Sequence, residues 1–337
     1  MLDVADRTAG ARERWPLLRP DARALARGAV NAALLLFVLL ALPQLLSLYY
    51  IGAMTQVAVY AMVALGLGVL VGRVGLVSLG QVAVLAVGAW AAARLLFATS
   101  MPYPVVLLEA GVITMVAGTL IGLLVERCVL KRLYGYPEPL VLIATYALFL
   151  VLDDLTKMVW GGQSLYATQP RDSFGQIGIG GLQYPVYDIA LIAVSLIVAA
   201  TVWYTLNRTR IGRCVTAVVF DSEISAAMGI HVGRIKTGTF IVGAALGAVA
   251  GALTAPKIAI SPGMGVEVIV VAFAVVVVGG LGSIPGALLG AAIIGLARAV
   301  TAHLFPEIEV FAVYLVMAGV LAVRPLGLLA PAEARRI

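Results

Sequence analysis

Charge is what this sequence has least of. Of its 337 residues, 12% are Asp, Glu, Lys or Arg, while 62% are hydrophobic. Soluble domains carry about a quarter charged residues, and no compact soluble fold could bury so much apolar surface. Histidine is nearly absent, with only His231 and His303, so no metal-ligand spacing exists. The two cysteines, Cys128 and Cys214, fall in basic segments assigned below to the cytoplasm, where a structural disulfide is not expected. No Gly-x-x-x-x-Gly-Lys-Ser/Thr phosphate loop occurs, which excludes an ATP site of that type. No Ser/His/Asp set stands out either, so the chain is read as a non-enzyme.

What is present is long charge-free runs: Gly28 to Gly72, Val74 to Ala93, Ile189 to Asn207, Thr237 to Pro256 and Val268 to Ala297. A helix needs roughly 20 apolar residues to cross the hydrocarbon core. The longest runs therefore hold two crossings, or one crossing and a re-entrant piece. Backbone amides in lipid must be satisfied internally, which makes helices the default. The short alternating segments of a transmembrane barrel are missing.

The predicted fold class is an all-α integral membrane protein of about ten spans: 28–48, 51–71, 75–97, 102–125, 139–160, 185–206, 237–255, 266–281, 284–304 and 308–323. Placing both termini in the cytoplasm puts most of the 23 Lys and Arg residues in cytoplasmic segments, as the positive-inside rule requires. Residues 1–27 then form a cytoplasmic tail, 28–323 a transmembrane domain with a long cytoplasmic connection at 207–236, and 324–337 a second tail. The apolar stretch after residue 27 is too long for a signal-peptide core. The net charge of +6 follows from that bias beside an anionic leaflet and implies no nucleic acid.

Three features stand out within this frame. Gly243, Gly247 and Gly251 recur every fourth residue, as do Gly282, Gly286 and Gly290, with Gly118 and Gly122 as a further pair. That spacing lines one helix face with small residues, for close packing or for a face that slides during transport. The run Gly279-Gly-Leu-Gly282-Ser-Ile-Pro285-Gly286 predicts a helix break, as a tight turn or as the cavity-lining kind found in transporters. In the 207–236 connection, Asp221 or Ser222 can cap a helix, Glu223 suits its first turn, and Gly229 suits the position past its end. A short helix through Ala226 and Ala227 is predicted there, either a solvated connector or an element that fits a groove on a partner.

Charges near the spans are few. Asp153 and Lys157 are four apart and can pair on one helix face beside Asp154, while Glu109, Arg94 and Arg298 stand in similar places. No chain of mid-membrane acids suggests a proton relay. The outer loops 161–184 and 256–267 could dock an external protein, with Arg171 and Lys257 supplying charge.

Taken in order, five segments resemble the permease subunits of ATP-binding-cassette importers for branched-chain (hydrophobic) amino acids. They are Gly72-Arg-Val-Gly-Leu-Val-Ser-Leu-Gly-Gln81, Leu140-Val-Leu-Ile-Ala-Thr145, Thr209-Arg-Ile-Gly-Arg213 with Ala226-Ala-Met-Gly-Ile230, the Gly279–Gly290 run, and Arg324-Pro-Leu-Gly-Leu328. The resemblance implies ten spans with an internal inverted repeat. It also implies a second permease subunit, the same chain or a sister chain. ATPase subunits would bind ATP, so this chain needs no cofactor of its own, and 221–229 would be the coupling helix. A substrate-binding protein would dock outside, and the location would be a bacterial or archaeal inner membrane. The first segment is similar to one sister permease and the later ones to the other. The family also takes in urea and amide importers. Two rivals remain at this stage: an ion-coupled secondary transporter and a membrane-embedded enzyme.

Overall fold

The computed structural model describes residues 49–74, 80–98, 103–133, 136, 138–167, 173–179 and 182–329. The expected first span, 28–48, the N-terminal tail and residues 330–337 lie outside the described residues. The helices are α1 (Tyr49–Val74), α2 (Gly80–Ala98), α3 (Tyr103–Val125), α4 (Glu138–Trp160), α5 (Val186–Arg208), α6 (Arg210–Phe220), α7 (Ser222–Ala227), α8 (Val232–Thr254), α9 (Met264–Gly279), α10 (Ile284–Leu304) and α11 (Glu309–Val323). Among the described residues, six helices are long and apolar enough to cross a membrane, and α2 and α9 hold shorter apolar stretches. The chain is an all-α, multi-pass membrane protein.

The core forms where α8 packs against α1, α2 and α3. Small residues allow this. A Cβ added to Gly251 would lie 2.1 Å from the Leu85 carbonyl oxygen on α2, and one added to Gly88 would lie 2.2 Å from that of Ala248. On another side of α8, Ala244 and Ala248 fill the space beside Gly122 and Gly118 of α3. Gly243 and Gly247 are also buried in this helix. The packing recurs in the second half of the chain: α9 rests on α10 as α2 rests on α3, and α10 lies against α1 as α3 lies against α8.

The glycine run at 279–286 is a tight turn. α9 ends at Gly279; Gly280 and Gly282 take φ of +105° and +82°, a region that favours glycine. Ser283 Oγ accepts a hydrogen bond from the Gly286 N–H at 3.0 Å, and Pro285 occupies the first turn of α10. Carbonyls at the end of α9 find partners from the C-terminal motif: Leu328 N–H donates to Val278 O, and Leu329 N–H to Gly279 O, both at 2.9 Å. Two of the recognised segments are thus one structural unit, which satisfies backbone groups at a helix end.

Three local features go beyond what the sequence leads us to expect. The fourth span does not stop at 125 but continues through a π turn, Glu126–Leu130, to Leu133. The outer loop 161–184 is not irregular throughout: Gln176–Ile179 (β1) and Leu182–Pro185 (β2) pair antiparallel as a hairpin. The connection 207–236 is mostly helical. Thr209 caps α6, accepting from the Gly212 N–H at 3.3 Å, and α6 turns Val215 and Val218 inward.

Candidate functional site

The predicted coupling segment forms as its residues dictate. Asp221 Oδ1 accepts hydrogen bonds from the N–H groups of Glu223 (2.9 Å) and Ile224 (2.8 Å), which caps α7. At the other end Gly229 takes φ +83°, and the Ile230 N–H returns to the Ser225 carbonyl at 3.0 Å. Ser225 is buried, whereas Asp221, Ser222, Glu223, Ala226, Ala227 and Gly229 are exposed. Two residues of this segment to which the sequence reading gave no role are exposed beside them: Ile224 is 63% exposed and Met228 78%. They are four apart and share one face. Their signal was present, since apolar residues in a polar connection are otherwise hard to explain.

Asp221→Ala tests the cap. We expect a loss of about 1 kcal/mol, confined to α7. Hydrogen exchange at the Glu223 and Ile224 amides should quicken by about fivefold, the factor for that energy, with the thermal midpoint of the helix bundle unchanged.

A charge network centred on Arg298 lies near the opposite end of α8. α8 has 23 residues, so its ends are about 35 Å apart at roughly 1.5 Å per residue. Here Arg298 of α10, only 14% exposed, donates through Nε to Glu309 Oε1 and through one terminal nitrogen to the Tyr60 hydroxyl, both at 2.5 Å. Its other terminal nitrogen donates to Glu267 Oε1. Gln56 Nε2 donates to the same Tyr60 hydroxyl at 2.9 Å. One guanidinium therefore ties together α1, α9, α10 and the start of α11. The sequence reading noted Arg298 but not its partners, which come from three separate segments.

Lys257, expected to offer charge outward, is 14% exposed and stands 3.4 Å from Asp188 of α5, so its charge is matched within the chain. Arg171 lies outside the described residues. The Asp153–Lys157 pair forms as expected at 2.8 Å, and Asp154 joins it at 2.9 Å. Arg94 donates to the Trp160 carbonyl at 2.7 Å, and Glu109 is exposed. Glu126, buried in the π turn, accepts from Thr237 Oγ1 at 2.7 Å and links α3 to the first turns of α8. Neither Glu126 nor Asp188 was singled out from sequence, because each sits beside basic or charge-free stretches that drew the attention.

Comparison with known proteins bears on this arrangement. The family described as "Branched-chain amino acid transport system / permease component" matches residues 49–321. The high-affinity branched-chain amino acid transport system permease protein BraD of Pseudomonas aeruginosa is 27% identical over 299 residues, which is 85% of this chain and 96% of that protein. The corresponding LivH permease protein of Salmonella typhimurium is 26% identical over 294 residues, 82% of this chain and 93% of that one. The ribose import permease protein RbsC of Haemophilus influenzae is 30% identical over 253 residues, 71% of this chain and 73% of that one.

Proposed function

The chain belongs to the family of branched-chain amino acid transport system permease components, and we propose that it is the membrane-spanning subunit of an ATP-driven importer for branched-chain amino acids. The observation that carries this reading is α7: a short helix, fixed by its own caps, that presents Ile224 and Met228 at the far end of α8 from the Arg298 network. An element of that kind suits a partner that pulls and releases, since a switch needs differential contact with two states. ATPase subunits would dock there, and they rather than this chain would bind ATP. Relatives of this chain are transport permeases, and the ion-coupled transporter and membrane-enzyme readings give way to this one.

The finer layout belongs to the same proposal. Ten spans, including 28–48, would place both tails and the 207–236 connection in the cytoplasm of a bacterial or archaeal inner membrane. The paired packing of α2 on α3 and α9 on α10 supports an internal inverted repeat. A second permease, a copy or a sister chain, would complete the pathway. An external substrate-binding protein would dock on 161–184 and 256–267, with Arg171 as a candidate contact. Urea and short amides are the other substrates this family reading admits.

The test is purification of the tagged chain from its own cells in mild detergent, followed by mass spectrometry and ATP-dependent uptake of labelled leucine, isoleucine and valine in proteoliposomes. A co-purifying nucleotide-binding subunit and ATP-dependent uptake are expected. Uptake by this chain alone, driven by an ion gradient, would overturn the reading.

A further inference from the structure

A cavity of about 380 Å³ opens beside the Arg298 network. It lies at the small end of the range for ligand pockets, roughly 300–1,000 Å³, which suits a single small solute. Its lining is mixed in chemistry. Val63, Leu85 and Val268 contribute apolar surface, and Lys257, Glu267 and Arg298 contribute charge of both signs. Resting on the importer reading above, we propose that this cavity is a station for a zwitterionic amino acid, with its ammonium on Glu267, its carboxylate on Arg298 and Lys257, and its side chain on the apolar surface.

The donor and acceptor inventory leaves room for such a ligand. A guanidinium has five N–H donors, and Arg298 uses three of them on Glu309, Tyr60 and Glu267. Glu267 is engaged by Arg298 through Oε1, and its side chain is 61% exposed, so the carboxylate is accessible to an incoming ammonium. The network holds both charged groups in place before a ligand arrives, which lowers the ordering cost of binding. Because each cation already has an acidic partner, the ligand exchanges partial contacts and gains no full ion pair. Affinity is then weak, as a solute that must move on requires. An anion or a cation alone would satisfy half of the site, and an uncharged sugar neither half.

Ser261 lines the same cavity and can report on occupancy. The complete transporter is reconstituted with Cys128→Ser, Cys214→Ser and Ser261→Cys, and a small methanethiosulfonate is used to label the introduced thiol. About 10 mM leucine, roughly ten times a Kd of about 1 mM, should slow labelling about tenfold, by the factor 1 + [L]/Kd. 4-Methylpentanoate, which lacks the ammonium, should protect far less. Glu267→Gln should abolish protection and Glu267→Asp should restore part of it, with thermal midpoints recorded for both to separate charge from folding. Equal protection by leucine and 4-methylpentanoate, or full protection in Glu267→Gln, overturns the assignment. Leucine uptake without leucine protection sinks the cavity assignment alone. Leucine protection without leucine uptake leaves the cavity assignment standing and sinks the importer reading.

Discussion

Gly251→Ala should leave almost no folded protein, although it adds one methyl group. The new Cβ would lie 2.1 Å from the Leu85 carbonyl oxygen and 3.0 Å from the Ala89 nitrogen, both backbone atoms of α2. Neither can turn aside as a side chain could, so α2 and α8 must separate along their contact. That separation strips neighbouring contacts at Ala248 and Gly88 and opens space that lipid chains cannot fill well. Overpacking costs about 1–3 kcal/mol where neighbours can yield, and more where they cannot. Gly290→Ala repeats the experiment in the second half, with Val275 O at 2.1 Å and Gly279 N at 3.0 Å. Gly52→Ala and Gly111→Ala are the controls, since a Cβ at either meets nothing within 4 Å. Gel filtration of fluorescent fusions should show the monodisperse peak reduced by about tenfold or more for the first pair, the factor for at least 1.4 kcal/mol, and unchanged for the controls. Wild-type peaks for Gly251→Ala would mean that the helices are not in backbone contact.

The same glycines show what the sequence could and could not convey. Spacing of four placed Gly243, Gly247 and Gly251 on one face of a helix, and the structure buries them all. Spacing could not say which helix lies opposite, because any small-residue face fits any other. The alanines between them proved equally important, with Ala244 and Ala248 meeting Gly122 and Gly118. Helix ends were legible because their causes are local: Asp221 and Gly229 bound α7, and Ser283 and Pro285 start α10. The hairpin was legible in principle, since Gly180-Gly181 between two short apolar stretches is a turn signal, but span counting absorbed the segment into a loop. Helix α6 was hidden by its basic residues Arg210 and Arg213, which were read for orientation and left its buried Val215 and Val218 easy to overlook. The Arg298 network was out of reach: Tyr60, Glu267 and Glu309 are distant in sequence, and only the fold brings them to one guanidinium.

The double change Ile224→Asp with Met228→Asp should abolish uptake and release the ATPase subunits while leaving the permease folded. Both side chains are exposed in the chain by itself, so charging them removes no internal packing. The helix that holds Ile224 and ends just before Met228 has six residues, too short to persist alone in water. It holds because Asp221 caps its first turn and Gly229 releases the chain at its end. A hot-spot anchor at an interface contributes about 2 kcal/mol or more; with Ile224 and Met228 as such anchors, each substitution should weaken docking by about thirtyfold, and the two together by more. Pull-down of the ATPase with the tagged variant reads this directly, and the thermal midpoint of the purified permease serves as the folding control. Gly229→Val separates surface from geometry. A Cβ there meets nothing within 4 Å, but φ +83° strains a β-branched residue. The strain should shift the chain after α7 while Ile224 and Met228 remain available. ATPase binding should then weaken less than in the double variant, and uptake should fall further than binding does. If the aspartate pair leaves the ATPase bound and uptake intact, α7 is a solvated connector and the coupling surface lies elsewhere on the chain.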